Sequence, residues 1–568
     1  MRGTVNWLVG LSVSLVVGGA AALQVAATTA PVDPVLKIGI VQRFGATPQS
    51  DQLAIAATGG SQLVLAFAGA NGQPQTQRLS QVSFDIHQKR LATPQEQHRL
   101  ILSNHRSFES AETNARQWEA LGVKTVVVQP DEWQVWADPE QYGPNEALQI
   151  LLYARDRDWT SVRSTSQLLP AQPLPQWQVG DREYTSQRVE IRSSTGTPIS
   201  VNGIPYAGTL TLQPNALSSY TLVNDVPLET YLRGVVPHEI VPQAAPPEAV
   251  KAQAILARTY ALRNRHRFAP DRYELCADTQ CQVYQGLKDT LPLTDQAIAD
   301  TQGEVLTADN QLADAVYSST TGGVTAAFED VWDGEPRSYL KPVPDSLLLR
   351  TQIGKLDLSQ ESDLRQFLAL RTGFNEAGLS SYFRWDLDQS LAKLTANLRE
   401  NQKYLGIPLP PYKQIAGLEV LERSPSGRVL KLRVDLQQAD GSITSVTLQK
   451  DAILLGLRAT YSLLFTIDPI VENGQLTGYT FTGGGLGHGV GMSQYGSYHL
   501  ASEGYSAKDI IEFYYPGAEI SALTPELARM SEPTANSMAN SRSERHKAIA
   551  QSLNRPDRSA VLGRSDRH

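Results

Sequence analysis

The segment PPEAVKAQAILARTYAL, residues 246–262, constrains this 568-residue chain more than any other stretch. Pro247 sits on the first-turn side, Glu248 at the positive end of the dipole, and good helix formers follow with no internal glycine. Ala249, Ala252, Ile255, Leu256, Tyr260 and Leu262 occupy more than one face of that helix. A helix of this kind must be enclosed on several sides, with its small residues admitting close backbone approach. Arg258, in the middle of the apolar run, requires a partner, because an unpaired buried charge is expensive.

Length and composition set the frame around that helix. A chain of 568 residues exceeds a single core and divides into roughly three to five domains. With 41% hydrophobic and 19% charged residues it has the composition of a soluble globular protein. A net charge of -8 and the lack of a basic tract argue against a nucleic-acid partner.

The expected fold class is α+β and multidomain, with mixed sheets and hairpins around the buried helix. Residues 1–30 read as a signal peptide or membrane anchor. Arg2 precedes an apolar run from Trp7 to Val17, and small residues through Ala30 suit cleavage near Ala27 to Ala30. An uncleaved run from Trp7 to Ala27 would approach the roughly 20 residues needed to span a bilayer, and would be the only membrane contact. Either reading makes the protein exported, to the periplasm or cell envelope.

Residues 34–170 form an expected N-terminal α/β region. PVLKIGIVQRFG and SQLVLAFAG read as strands, Ser107 to Leu121 as a helix stopped by Gly122, and Val123 to Val128 and Trp133 to Trp136 as further strands. The proline-rich stretch at 168–180 reads as a linker. Residues 181–353 are the first part of a core, 354–457 an inserted accessory α/β region, 458–520 the second part of the core, and 521–568 a polar, disordered tail.

Three segments carry candidate chemistry. Glu239 lies between prolines in GVVPHEIVPQ, and apolar neighbours Val235, Val236, Ile240 and Val241 are the surroundings that raise a carboxyl pKa and suit a general acid; a capping or ion-paired carboxylate is the ordinary alternative. His488 lies in FTGGGLGHGVGMSQYG, where glycines at 483, 484, 485, 487, 489, 491 and 496 imply unusual backbone or close approach to a ligand. The segment has neither the βαβ setting nor the Lys-Ser/Thr ending of a phosphate loop. Its amides with His488, Ser493, Gln494 and Tyr495 suit a polar, uncharged polymer such as a sugar chain, so that the Gly-rich loop would complete a polysaccharide groove. In VYSSTTGG, hydroxyls including Ser318 and Ser319 fit either a groove wall or a hairpin. Cys276 and Cys281 form a local disulfide, remain free thiols, or join His266 as three zinc ligands.

YLRGVVPHEI, EAVKAQAILARTYAL, CQVYQG, YSSTTGG, VWDGEPRSYL, GHGVGMSQYG and YYPG occur in an order that resembles the stage II sporulation protein D family, also called the amidase-enhancer family. The blocks cover approximately residues 190–520. The resemblance implies a lytic transglycosylase acting on peptidoglycan glycan strands stripped of stem peptides, with the glutamate after the VVP segment, Glu239, as the catalytic acid. In that chemistry Tyr231, His488, Gln494 and Tyr495 would orient sugars or polarise hydroxyls, with Glu248 and Arg258 as supporting groups. No cofactor is required for that chemistry, although a structural zinc on His266, Cys276 and Cys281 is implied. Other branches of the family modify a cell-wall amidase instead of cutting, which gives the alternative of a noncatalytic glycan-binding regulator. Residues 105–155 also resemble the sporulation-related repeat, a small glycan-associated α/β module.

Overall fold

The helix expected from residues 246–262 forms over Pro247–Arg263, and every residue from Ala249 to Leu262 except Lys251 is buried. Two separate apolar clusters meet on it. Ala249, Val250, Ala254, Ala257, Ala261 and Leu262 pack into one, and Ala252, Ile255, Leu256 and Tyr260 into the other. Arg258, fully buried, has the partner that burial demands: its Nε and Nη2 donate to Glu229 Oε1 and Oε2 at 2.8 and 2.7 Å.

The computed structural model describes residues 32–46, 52–159, 161–240, 245–402, 405 and 407–530. The expected signal or anchor lies outside them. Among the described residues no helix is long and apolar enough to cross a membrane.

A seven-stranded sheet supports the first cluster. Its order is Leu275–Cys276, Val35–Phe44, Tyr220–Pro227, Thr209–Pro214, Val189–Ser193, Leu63–Ala68 and Pro74–Leu79. Strands on both sides of residue 180 therefore pair directly, Ile38 with Asn224 and Leu65 with Ile191. The expected boundary between an N-terminal region ending at 170 and a core beginning at 181 is not a structural division. Val35–Phe44, Leu63–Ala68 and Pro74–Leu79 belong to the core sheet, while Leu53–Ala57 pairs with Ile199–Val201 and Gln81–His105 in a second sheet, because alternating strands with one apolar face are completed only by partners distant in the chain.

The chain between Gln81 and Val179 is rooted in the first cluster through Val82, Phe84 and Trp177 and extends from it. The strand Gln81–His105 leaves the core and pairs with Arg163–Val179 and Trp133–Ala137, and the helices Phe108–Ala120 and Pro144–Arg155 lie between these strands in sequence. The proline-rich stretch expected as a linker is thus strand. From Arg163 to Pro175 it has a neighbour on one side only, so prolines lose no ladder bond on the other.

The accessory region likewise extends past its expected end. Gln414–Arg423, Val429–Gln437 and Ile443–Gln449 form a three-stranded meander, but Trp385–Ser390 pairs with Gln475–Gly483, and Phe465 and Phe481 share its apolar cluster. Residues 521–530, assigned to the tail, end the strand Glu519–Ala522 and form the helix Pro525–Met530, with Leu523 and Ala528 buried in the first cluster. Their apolar positions were masked by the polar composition that follows.

Candidate functional site

Glu239 closes a one-turn helix, Val236–Glu239, with Pro237 in its first turn. Val235, Val236 and Ile240 are buried in the core and fix the backbone on both sides of it. The side chain is half-buried in the wall of a cavity of about 410 Å³. Burial pushes its pKa above the usual carboxylate range, against the pull of two donors, the Val283 amide at 2.8 Å and the Tyr317 hydroxyl.

A chain of side chains orders that hydroxyl. Tyr231 OH donates to Gln282 Oε1 at 3.2 Å, and Gln282 Nε2 donates to Tyr317 OH at 3.0 Å. Tyr317 then keeps its own proton for Glu239. Burial, reinforced by the charge of Glu239, drives the pKa of both tyrosines well above the ordinary value, so both stay neutral donors.

The Gly-rich segment reaches Glu239 by pairing with the hydroxyl-rich one. Tyr317 and Ser318 pair in parallel with Met492 and Ser493, and Ala326 bridges to Val490. Gly491, at φ +72°, fits only without a side chain, since a Cβ there would meet the Val316 carbonyl at 2.0 Å. Gln494 Nε2 donates to the backbone carbonyl of Glu239 and lies 3.4 Å from Gln253 Oε1 of the long helix. His488 lies on Trp332, with ring centroids 5.0 Å apart, and its Nδ1 accepts from Val490 N. A backbone hydrogen bond with Tyr317 favours the protonated ring, and burial outweighs it. Burial lowers the imidazole pKa to about 4, so the ring is neutral at pH 7.

Of the residues expected at the site, Glu239, Ser318, Ser319, His488 and Gln494 line this cavity. Ser318 Oγ is buried without a hydrogen-bond partner. Tyr231 stands behind it. Ser493 is buried and caps the helix Gln494–Ser502, accepting from Gly496 N at 3.0 Å. Tyr495 turns its ring onto Tyr498, at 5.2 Å, against the first apolar cluster. Glu248 accepts from the amide of Ala507 at 2.9 Å and pairs with Lys251, and Arg258 is enclosed with Glu229. These last four hold the scaffold.

Cys276 and Cys281 are joined as a disulfide, with Cα atoms 5.6 Å apart. His266 Nε2 meets Glu112 Oε1 at 2.9 Å, beside the Phe108 ring. Sulfurs bonded to each other offer no thiolate, so the donor set in this oxidised state does not fit the implied zinc. Among the described residues, no group of three or more His, Cys, Asp or Glu side chains is arranged to hold a metal.

Sequence reasoning missed several contributors. Tyr317, Gln282 and Trp332 lie within the blocks YSSTTGG, CQVYQG and VWDGEPRSYL, and only their contacts reveal their roles. The accessory region supplies a buried acid, Glu376, that accepts from Thr321 N at 2.5 Å, Thr321 Oγ1 at 2.6 Å and Gly322 N at 3.0 Å. Asp345 lies against it, and burial with the neighbouring Glu376 charge raises the Asp345 pKa well above normal, so the pair shares a proton. Arg428 Nη2 and Arg384 Nη1 bind the carbonyls of Thr321 and Gly322 at 2.8 Å each. Ser107, Phe108 and Glu109, from the segment between the core strands, also line the cavity.

Comparison with known proteins gives a consistent context. Residues 217–307 match the family model described as Stage II sporulation protein, and residues 326–491 match a Domain of unknown function (DUF8618). Stage II sporulation protein D of Bacillus subtilis is 30% identical over 337 residues, 56% of this chain and 81% of that protein. The Amidase enhancer of the same organism is 29% identical over 346 residues, 58% of this chain and 46% of the relative. An uncharacterized protein of Brachyspira hyodysenteriae is 29% identical over 325 residues, 56% of this chain and 73% of that protein.

Proposed function

From this chain's membership of the stage II sporulation protein D and amidase-enhancer family, we propose that it acts on peptidoglycan glycan strands in the cell envelope, as a lytic transglycosylase with Glu239 as its single acid and base. The observation that carries this reading is the Glu239 carboxyl itself, raised in pKa by burial and aimed into a cavity while the Val283 amide and Tyr317 hydroxyl fix its orientation.

Protonated Glu239 donates to the glycosidic oxygen between N-acetylmuramic acid and N-acetylglucosamine as positive charge develops at the sugar carbon. The carboxylate so formed is stabilised by its two donors. It then takes the proton of the muramic C6 hydroxyl, whose oxygen closes the 1,6-anhydro ring. The nucleophile belongs to the substrate, so no ordered water and no second free carboxylate are needed. Among the described residues lining the cavity the one other acid, Glu109, is occupied by Arg267. The Ser318 and Ser319 hydroxyls and the rings of Trp332 and His488 line the same cavity and supply polar and flat surfaces of the kind sugars bind. No step runs through a metal.

The protein is to be incubated with sacculi and with strands stripped of stem peptides, and the products identified by mass spectrometry. Ends lacking one water relative to hydrolysis products are expected, and reducing ends alone would contradict the mechanism.

The similarity to an amidase enhancer favours a second reading, in which the same cavity binds glycan and the protein stimulates a cell-wall amidase. Stimulation that persists in Glu239→Gln, with no anhydro product from either protein, would select it.

A further inference from the structure

The long helix brings one more group to the cavity that holds Glu239. Gln253 Oε1, on its middle turns, lies 3.4 Å from Gln494 Nε2, which donates to the Glu239 carbonyl. Tyr260 follows two turns later on the same face and lines the cavity. Its ring belongs to the core: it packs in the second apolar cluster, and the Arg267 guanidinium carbon stands 5.4 Å from the ring centroid. Arg267 is itself held, with Nε on Asn264 Oδ1 at 2.9 Å and Nη1 on the Gln280 carbonyl at 3.1 Å. The ring is therefore fixed by packing on both faces.

The hydroxyl on that ring is not part of the core. Tyr260 is only 8% exposed, yet among the described residues its hydroxyl makes no hydrogen bond. The other two tyrosines beside the acid are engaged: Tyr231 OH donates to Gln282, and Tyr317 OH accepts from Gln282 and donates to Glu239. Burial raises the Tyr260 pKa to about 12, opposed by Arg267 and reinforced by the charges of Glu109, Glu239 and Asp314. The group is thus a neutral hydroxyl that can both donate and accept. Withdrawn from bulk water, it is costly unless whatever enters the cavity completes its hydrogen bond.

Resting on the peptidoglycan reading, we propose that Tyr260 binds substrate directly, its hydroxyl pairing with an uncharged polar group of the sugar held against Glu239. A strand that brings its glycosidic oxygen to Glu239 enters the cavity that both residues line, and there it meets a fixed hydroxyl with its hydrogen bond unmade. Tyr260 takes no part in the hydrogen bonds that orient the Glu239 carboxyl. It therefore adds to the binding of the strand and leaves the acidity of Glu239 to Tyr317 and the Val283 amide. The sequence places Tyr260 on an apolar helix, where its ring accounts for it fully; only the missing partner of its hydroxyl points to this second role.

The test compares wild type, Tyr260→Phe and Tyr317→Phe in the full chain, by thermal unfolding, by co-sedimentation with sacculi and with stripped strands, and by kcat/KM across pH. Tyr260→Phe keeps the ring and deletes only the unpaired hydroxyl. It is expected to unfold at the wild-type temperature, to bind strands on the order of tenfold more weakly and to lose the same factor in kcat/KM, as befits one hydrogen bond whose loss leaves a polar group of the substrate unmatched. Its alkaline limb is expected to stay at the wild-type pH, whereas Tyr317→Phe moves that limb. Unchanged binding, a lowered unfolding temperature, which would show the hydroxyl serving the fold, or a limb that moves as it does in Tyr317→Phe would each overturn the proposal. If wild type binds strands and cuts none, the transglycosylase reading fails alone and the binding comparison still decides. If wild type binds neither substrate, both fail together.

Discussion

The backbone amide of Val283 donates to Glu239 Oε1 at 2.8 Å, and this contact ties the candidate acid to the residues that directly follow the Cys276–Cys281 disulfide loop. Tyr284 N, just beyond the loop, donates to Ala277 O inside it at 3.1 Å, and Cys276 N lies 3.0 Å from Cys281 Sγ. The position of the carboxyl is therefore set by a local covalent staple as much as by its own short helix.

Replacing both cysteines with alanine is expected to lower stability by about 2 kcal/mol, the loop-entropy value for so short a ring. Activity is expected to fall further than stability explains, because the Val283 amide loses its fixed position. Thermal unfolding and glycan cleavage at a temperature where the variant remains folded measure the two effects separately.

Tyr317 and the Val283 amide both favour the ionised form of Glu239, while burial opposes it and prevails. The folded state therefore holds this proton to higher pH than the unfolded chain, and the group's contribution to stability declines as pH rises between the two pKa values. Activity requires the protonated acid and is expected to fall as pH rises through the raised pKa. Tyr317→Phe removes a donor to the carboxylate, so the alkaline limb of kcat/KM is expected to move up by about one pH unit, corresponding to a hydrogen bond of about 1.4 kcal/mol. A limb that moves down would contradict the assignment of the hydrogen bond.

Under the Thr321–Gly322 turn, Glu376 accepts from two backbone amides, and its buried neighbour Asp345 holds its proton well above the usual carboxylate range. Glu376→Ala strands two buried amides and is expected to cost about 3 kcal/mol or more. Asp345→Asn keeps the shape of the protonated acid and is expected to cost less than about 1 kcal/mol. Because the folded pKa of Asp345 is raised, stability in wild type is lost as pH climbs above its unfolded value, and Asp345→Asn is expected to flatten that slope. Denaturant titrations at several pH values measure all three effects.

Much of this arrangement was legible in the sequence. The long helix, the Glu239 turn, the hydroxyl-rich segment and the Gly-rich loop are each marked by local residue chemistry, and the order of the blocks tied them together. The pairing of Val35–Phe44 with Tyr220–Pro227 was not legible, since periodicity reveals a strand and not its partner. The strand character of 163–179 was hidden by prolines that an edge position tolerates. Glu376 looked like any surface acid, and Glu109 like an ordinary first-turn carboxylate, until distant segments brought donors to them. Tyr495, Glu248 and Arg258 came from motifs near the site, yet their side chains serve packing and capping.

The central claim is that Glu239 alone performs the proton transfers of an intramolecular ring closure. Its most direct test is the product released from peptidoglycan by wild type and by Glu239→Gln, both confirmed as folded and glycan-binding. Wild type is expected to release 1,6-anhydromuramic ends, and Glu239→Gln to release none while still binding strands. Anhydro product formed by Glu239→Gln at the wild-type rate would contradict the account.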